Sequence, residues 1–303
     1  MIPFRIFLKG IYRKVFSMRI FGIYTVNDLV ENVQKNKILK STGLMFEVHL
    51  VDHCNLNCKG CSHFSPISEK RFVDVEAYKK DLQRLSEILT SNDIRRIRLL
   101  GGEPLLHPKV MDFILLTYDY FPNVYVEFVT NGLLLLNQSE AFWNTCKKTK
   151  TKIIVTRYPI PIDLSLIEER AKQYGVSLMI GPTHKFKTFK KLVFDPKGHQ
   201  CGFLSHLFCF NYGYTCQLKD GKFYPCSIAA YFPNFSKHFN LGITESKDNY
   251  IDIYSNVTKR DFYKIMSKRI PQCQYCNIAA GKSNVKWSYS SKSITEWTME
   301  EKK

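Results

Sequence analysis

From residue 44 onward the chain alternates two hydrophobic periods, and this constrains its fold more than any other feature. Apolar, β-prone runs lie at residues 45–51, 94–100, 124–130, 152–156 and 176–180, with a weaker one at 192–194. Helix-like stretches separate them. Residues 74–89 carry Val75, Tyr78, Leu82, Leu85 and Leu89 near helical spacing; residues 108–120 open on Pro108; residues 139–147 and 163–174 follow, the last closed by Gly175. Strand, crossover, strand in succession predicts an α/β fold with a parallel sheet and right-handed crossovers, either doubly wound or curled into a barrel. Ligands then gather at the carboxyl ends of the strands. At 303 residues the chain holds one large α/β domain and a smaller appendage.

Three loops fall at those strand ends. After the first strand comes Cys54-Asn55-Leu56-Asn57-Cys58-Lys59-Gly60-Cys61. Three soft sulfur ligands this close together favour an iron–sulfur cluster or zinc, and a three-thiolate set suits a four-iron cluster with one iron left open. Gly101-Gly102-Glu103-Pro104 follows the second strand and Thr130-Asn131-Gly132 the third. Paired glycines let backbone approach a ligand, and the neighbouring carboxylate can accept from a cationic group. Standing alone, Gly-Gly-Glu-Pro is equally a turn.

Past residue 197 the alternation stops and cysteines cluster: Cys201, Cys209, Cys216, Cys226, Cys273 and Cys276. Residues 214–218 and 222–224, joined through Asp220-Gly221, predict a β-hairpin. Cys273-Gln274-Tyr275-Cys276 has the two-residue spacing of a metal clamp, and with two cysteines from around the hairpin it would complete a four-thiolate site. Cys146, isolated on a predicted helix, reads as a small buried hydrophobe. The expected division is a basic amphipathic extension at 1–40, the α/β unit at 41–200 and a cysteine-rich unit at 201–303.

The net charge of +17 calls for an acidic partner to be considered, but the charge is spread and no nucleic-acid module accompanies it, so no nucleic acid is expected. Within residues 1–24, Arg5, Lys9, Arg13, Lys14 and Arg19 interrupt every apolar run. That excludes a spanning helix there and leaves two readings: a helix on an anionic membrane surface, or a helix packed on its own domain or a second subunit. The absence of a signal-peptide pattern and the metal spacing of the cysteines point to a reducing cytoplasm, with peripheral membrane contact through residues 1–24 as the open variant.

Together, Cys54, Cys58 and Cys61 after the first strand, Gly101 to Pro104 after the second and the strand–helix frame around both resemble the radical S-adenosylmethionine (SAM) superfamily. The resemblance spans about residues 44–194 and implies a partial (β/α)6 TIM-like barrel. It implies that Cys54, Cys58 and Cys61 hold a [4Fe-4S] cluster whose fourth iron binds SAM, and that Gly101, Gly102, Glu103 and Pro104 hold the amino end of SAM, with Glu103 as acceptor. Arg157, after the fourth strand, would pair with a carboxylate or lie on the surface. The position before the third cysteine is often aromatic in that superfamily and packs by the adenine; Gly60 departs from this, leaving His63 or Phe64 to supply the packing. The C-terminal part resembles the SPASM/twitch extension through Cys209, Gly221 and Cys226. With Cys273 and Cys276 this implies one auxiliary [4Fe-4S] cluster, Cys216 being the alternative to Cys209.

The implied activity is reductive cleavage of SAM to a 5′-deoxyadenosyl radical, which abstracts hydrogen from a small sugar- or alcohol-like molecule with net oxidation. Modification of a peptide is the alternative, and a non-catalytic protein with metal in both cysteine sets is the rival from another class. An electron donor such as flavodoxin or ferredoxin is implied as a partner. Catalytic acids and bases are unassigned: His63, His107 and Asp52 are candidates, and His107 beside Pro108 reads as a helix-start residue.

Overall fold

A computed structural model describes residues 19–20, 24–25, 43–181, 188–190, 192–280 and 284–299. Of the basic extension, only Arg19–Ile20 (β1) and Tyr24–Thr25 (β2) are described, and they pair antiparallel. There the expected helix gives way to a short hairpin, in keeping with the extended-backbone preference of Ile20, Tyr24 and Thr25. The rest of residues 1–24 lies outside the described residues. Among the described residues no helix is long and apolar enough to cross a membrane.

Five parallel strands form the body of the main sheet: β3 (Leu44–His49), β4 (Ile94–Leu100), β5 (Tyr125–Thr130), β6 (Lys152–Val155) and β7 (Leu178–Ile180). Helices α1 (Val75–Ile88), α2 (Val110–Tyr120), α3 (Glu140–Lys148) and α4 (Leu164–Tyr174) alternate with them. Three starts are fixed by side-chain caps. Asp74 accepts from the Ala77 N–H, Ser139 from Phe142, and Asp163 from Ser165 and Leu166. Gly175 ends α4 at φ 66°, where a side chain would be strained.

Strand order decides between the two sequence-level topologies. β3 to β7 lie side by side in chain order with no reversal, so there is no switch point, and the sheet is a partial TIM-like barrel rather than a doubly wound one. Its faces differ accordingly. Phe46, Val48, Ile97, Leu99, Val126, Phe128, Ile153 and Val155 are buried in one core with residues of α1 to α4. Glu47, Arg98 and Glu127, which are register partners across β3, β4 and β5, form an ion-pair row: Arg98 to Glu47 at 3.3 Å and to Glu127 at 2.6 Å.

The expected sixth strand does not join this sheet. Phe194 instead bridges to Cys276 and Thr298, tying the end of the barrel segment to the C-terminal part. β8 (Thr188–Lys190) pairs with β12 (Asn284–Lys286). On the other edge, β9 (Gln217–Lys219) lies parallel to β3, and the sheet continues through β10 (Lys222–Tyr224) to β11 (Ile251–Asp252). The predicted Asp220-Gly221 turn is there, with φ 52° and 71°, as a two-residue hairpin turn requires. Hydrogen bonding thus runs unbroken across the boundary expected at residue 200. Two further helices, α5 (Gly202–Leu207) and α6 (Ser227–His238), flank the hairpin, and α7 (Lys259–Ile265) follows.

Candidate active site

The Cys54 loop and the Gly101 loop are locked together by backbone. Gly102 N–H donates to Val51 O (2.9 Å) and Glu103 N–H to His53 O (3.1 Å). A Cβ on Gly101 would lie 2.4 Å from Val51 O, and one on Gly102 would lie 1.9 Å from His53 O, so both positions require glycine. The close approach that the paired glycines permit is therefore first of all to the chain's own cysteine loop. Both glycines also face the cavity beside it.

Glu103 is fully buried and is not on the cavity wall. Its carboxylate accepts from Thr130 Oγ1 (2.6 Å), from the Asn131 N–H (2.8 Å) and from the Leu105 N–H (3.2 Å). It is a strut between the second and third strand-end loops. Burial raises its pKa to about 7 against the pull of those donors. Pro104 opens a short 3-10 turn behind the wall. The residue that the strut places on the wall is Asn131, whose Nδ2 donates to Asn55 Oδ1 (2.8 Å) and reaches the Cys54 Sγ at 3.8 Å.

Cys54, Cys58 and Cys61 line one cavity of about 300 Å³, together with Gly101, Gly102, Thr130, Asn131, Thr156, Tyr158 and Trp287. Burial pushes the Cys54 thiol up to about 11 and the Cys58 thiol up to about 12. Such thiols ionise only beside compensating positive charge, which is what bound iron provides. Hydrogen-bond donors are also in place. The Leu56 N–H donates to Cys54 Sγ at 3.4 Å. The Trp287 indole N–H lies near enough to Cys58 to pull its pKa down, yet it completes no hydrogen bond. An all-sulfur set with an orphaned donor at one sulfur fits an iron–sulfur cluster, and the rest of the cavity leaves room for a ligand next to it. Among the described residues no three such side chains converge on one point as a lone ion would need.

Other sequence candidates scatter. Arg157 lies between two wall residues, Thr156 and Tyr158, but is not itself on the wall. Gly60 has φ 62°, a backbone setting that favours glycine. Phe64 is in the core against Phe194, Phe235 and Trp297. His63 does reach the cavity, its ring tilted against that of His49 with centroids 4.6 Å apart. His107 has both ring nitrogens engaged, with Val73 O and the Lys109 N–H, as suits a helix-start residue. Asp52 lies 3.5 Å from Arg71 and 3.7 Å from His49, outside this cavity.

Sequence reasoning missed the C-terminal segment. Residues 287–297 close over the cysteine loop: Lys59 N–H donates to Ser288 O (2.9 Å), Ser290 N–H to Asn57 O (2.8 Å), Cys58 bridges Tyr289, and Trp297 Nε1 donates to Cys61 O (2.9 Å). Buried Glu296 accepts from the Gly60 N–H (3.1 Å) and from Ser290 and Ser291. No local pattern signals these contacts, because the partners lie more than 200 residues apart in the chain.

A second cysteine group forms beneath α6. Cys209, Cys226, Cys273 and Cys276 line one pocket of about 30 Å³ with Tyr212, Ser205 and Ile278. Burial raises all of Cys226, Cys273 and Cys276, Cys273 to about 11. Cys216 is buried outside the lining, with its Sγ 3.6 Å from Pro225 O. Cys146 is fully buried on α3, as expected of a small hydrophobe.

Residues 48–193 match the family model of the Radical SAM superfamily. Among curated proteins, GTP 3′,8-cyclase of Campylobacter fetus subsp. fetus (strain 82-40) is 28% identical over 94 residues, covering 31% of this chain and 29% of the relative. GTP 3′,8-cyclase of Aliarcobacter butzleri (strain RM4018) is 31% identical over 88 residues, covering 29% and 27%. The match thus spans less than a third of these relatives' length. Among solved structures, that of BtrN in complex with AdoMet and 2-DOIA is similar in fold, with a TM-score of 0.50 and 20% identity, covering 78% of this chain and 93% of BtrN.

Proposed function

From the radical SAM superfamily domain that residues 48–193 constitute, we propose that the protein cleaves SAM reductively and oxidises a small sugar- or alcohol-like molecule by hydrogen abstraction. The observation that carries this reading is three cysteine thiols on the wall of one cavity of about 300 Å³, beside the Gly101-Gly102 backbone. Cys54, Cys58 and Cys61 would hold a [4Fe-4S] cluster, which with SAM bound supplies a 5′-deoxyadenosyl radical. The chain's part is position and exclusion of water. The glycines hold the two loops at backbone contact, Asn131 and Trp287 present donors to the sulfurs, and the C-terminal segment closes over the loop.

The 201–303 region is proposed to act as a twitch-type unit, in which Cys209, Cys226, Cys273 and Cys276 hold a second cluster. That cluster would accept the electron left on the substrate after hydrogen-atom transfer, while a proton leaves to solvent, so the substrate loses two electrons and two protons in all. The electron that starts the cycle would come from a flavodoxin- or ferredoxin-like donor, in the cytoplasm.

The test is anaerobic reconstitution followed by SAM and dithionite. The expected result is about eight irons and eight sulfides per chain by the two-cluster count and release of 5′-deoxyadenosine. Protein that carries iron and sulfide at Cys54, Cys58 and Cys61 but yields no 5′-deoxyadenosine overturns the reading, as does protein that takes up only zinc. A substrate screen in which only deuterated peptides pass deuterium to 5′-deoxyadenosine would replace the small-molecule class with a peptide.

A further inference from the structure

The contact between the C-terminal segment and the cysteine loop is an antiparallel one with a definite register. Cys58 bridges Tyr289, Lys59 N–H donates to Ser288 O, and Ser290 N–H donates to Asn57 O. Continuing that register by two residues places Trp287 opposite Gly60. Gly60 brings no side chain, its φ of 62° favours glycine, and its N–H is already held by Glu296. The space next to the third cysteine is therefore filled from across the ladder: Trp287 lines the thiol cavity, with its ring centroid 6.1 Å from that of Tyr158. On the same wall Ser65 Oγ has no partner, and Trp287 Nε1 completes no hydrogen bond, although it faces the Cys58 sulfur. Unpaired buried groups of this kind on a cavity wall call for an occupant that can hydrogen-bond.

We propose that Trp287 is a binding residue for the nucleoside half of the ligand, its indole forming the side wall against which a purine ring packs. The proposal rests on the reading that this cavity holds SAM. A large, flat aromatic face on a half-enclosed cavity wall suits a flat heteroaromatic ring. The other aromatic groups on the wall are Tyr158 and His63, and the His63 ring already lies against His49, tilted at 56° with centroids 4.6 Å apart. The consequence is that the ligand site is completed by a residue some 230 positions downstream of the cysteine loop, held there by the ladder through Ser288 and Tyr289 and by its ring contact with Tyr158.

The test uses full-length protein reconstituted anaerobically, with S-adenosylmethionine and S-adenosylhomocysteine as probes, because both carry the nucleoside. Trp287→Ala is expected to raise the Kd for both about 5- to 100-fold, the range that stacking of one base on an aromatic side chain supports. Trp287→Phe, which keeps a ring there, is expected to recover most of the affinity, with iron and sulfide content unchanged. Trp287→Ala that binds both probes as the wild type does overturns the proposal. So does loss of iron from both variants, which would make Trp287 a prop for the Cys58 loop. If only Trp287→Ala loses iron, tryptophan emission decides. The other two tryptophans, Trp143 and Trp297, are fully buried. Quenching by S-adenosylhomocysteine that is lost in Trp287→Phe supports the proposal, and quenching that persists there overturns it. Wild-type protein with a full complement of iron that binds neither probe overturns the SAM reading itself; the Trp287 inference then falls with it.

Discussion

The two cysteine groups are built to opposite plans. Around Cys54, Cys58 and Cys61 there are three thiols and a cavity of about 300 Å³; around Cys209, Cys226, Cys273 and Cys276 there are four thiols and a pocket of about 30 Å³. Three sulfurs with room alongside leave a coordination position and space for something to occupy it. Four sulfurs with no such room form a closed set. The same contrast separates open from closed metal sites generally, and the proposed function uses it, with ligand chemistry for the first group and electron transfer for the second.

The largest effect expected to break or uphold this contrast is from Cys58→Ala. It should abolish 5′-deoxyadenosine formation, and product that persists would deny the three-thiol site its role. Cys226→Ala comes next. It should remove about half the iron while SAM cleavage stays measurable, because a four-thiol set that has lost one member no longer closes; unchanged iron would break the assignment. Smaller is the effect of Glu103→Gln, read in thermal unfolding against pH. The folded state holds a proton on Glu103 up to about pH 7, whereas the unfolded carboxyl releases it near 4.5. Wild-type stability should therefore decline as pH rises from 4.5 to 7 and level off above, by at most about 3 kcal/mol. The variant should lack that part of the decline, and an identical profile would remove the buried strut from the account. Smallest of all in iron content is Cys216→Ala, which should leave both iron and sulfide as in the wild type; loss of iron would exchange Cys216 for Cys209.

What the sequence disclosed follows the range of its signals. The strand–helix alternation, the helix starts at residues 74, 139 and 163, the Asp220-Gly221 turn and the three-cysteine loop are local, and each stands where expected. The choice of barrel over doubly wound sheet required strand order, which periodicity does not contain. Glu103 looked like a ligand acceptor because its neighbours suggest one. That it turns inward depends on Thr130 and Asn131, 27 and 28 residues away. The resemblance favoured Cys209 with Cys216 as the alternative, and it is Cys209 that lines the pocket while Cys216 is buried outside it. Trp287 and Glu296 carried no signal at all, since nothing near them in the chain resembles a site.

The embrace of the cysteine loop by the C-terminal segment has a consequence for synthesis. Gly60 and Trp297 belong to opposite ends of the chain, and Glu47 waits for Gln217, 170 residues later, before β3 acquires its second neighbour. The loop leaves the ribosome early and is finished last. Contacts of such sequence separation close slowly, and domains otherwise fold as they emerge. Until translation has reached residue 297, the three-cysteine loop of a nascent chain therefore lacks the contacts that close over it.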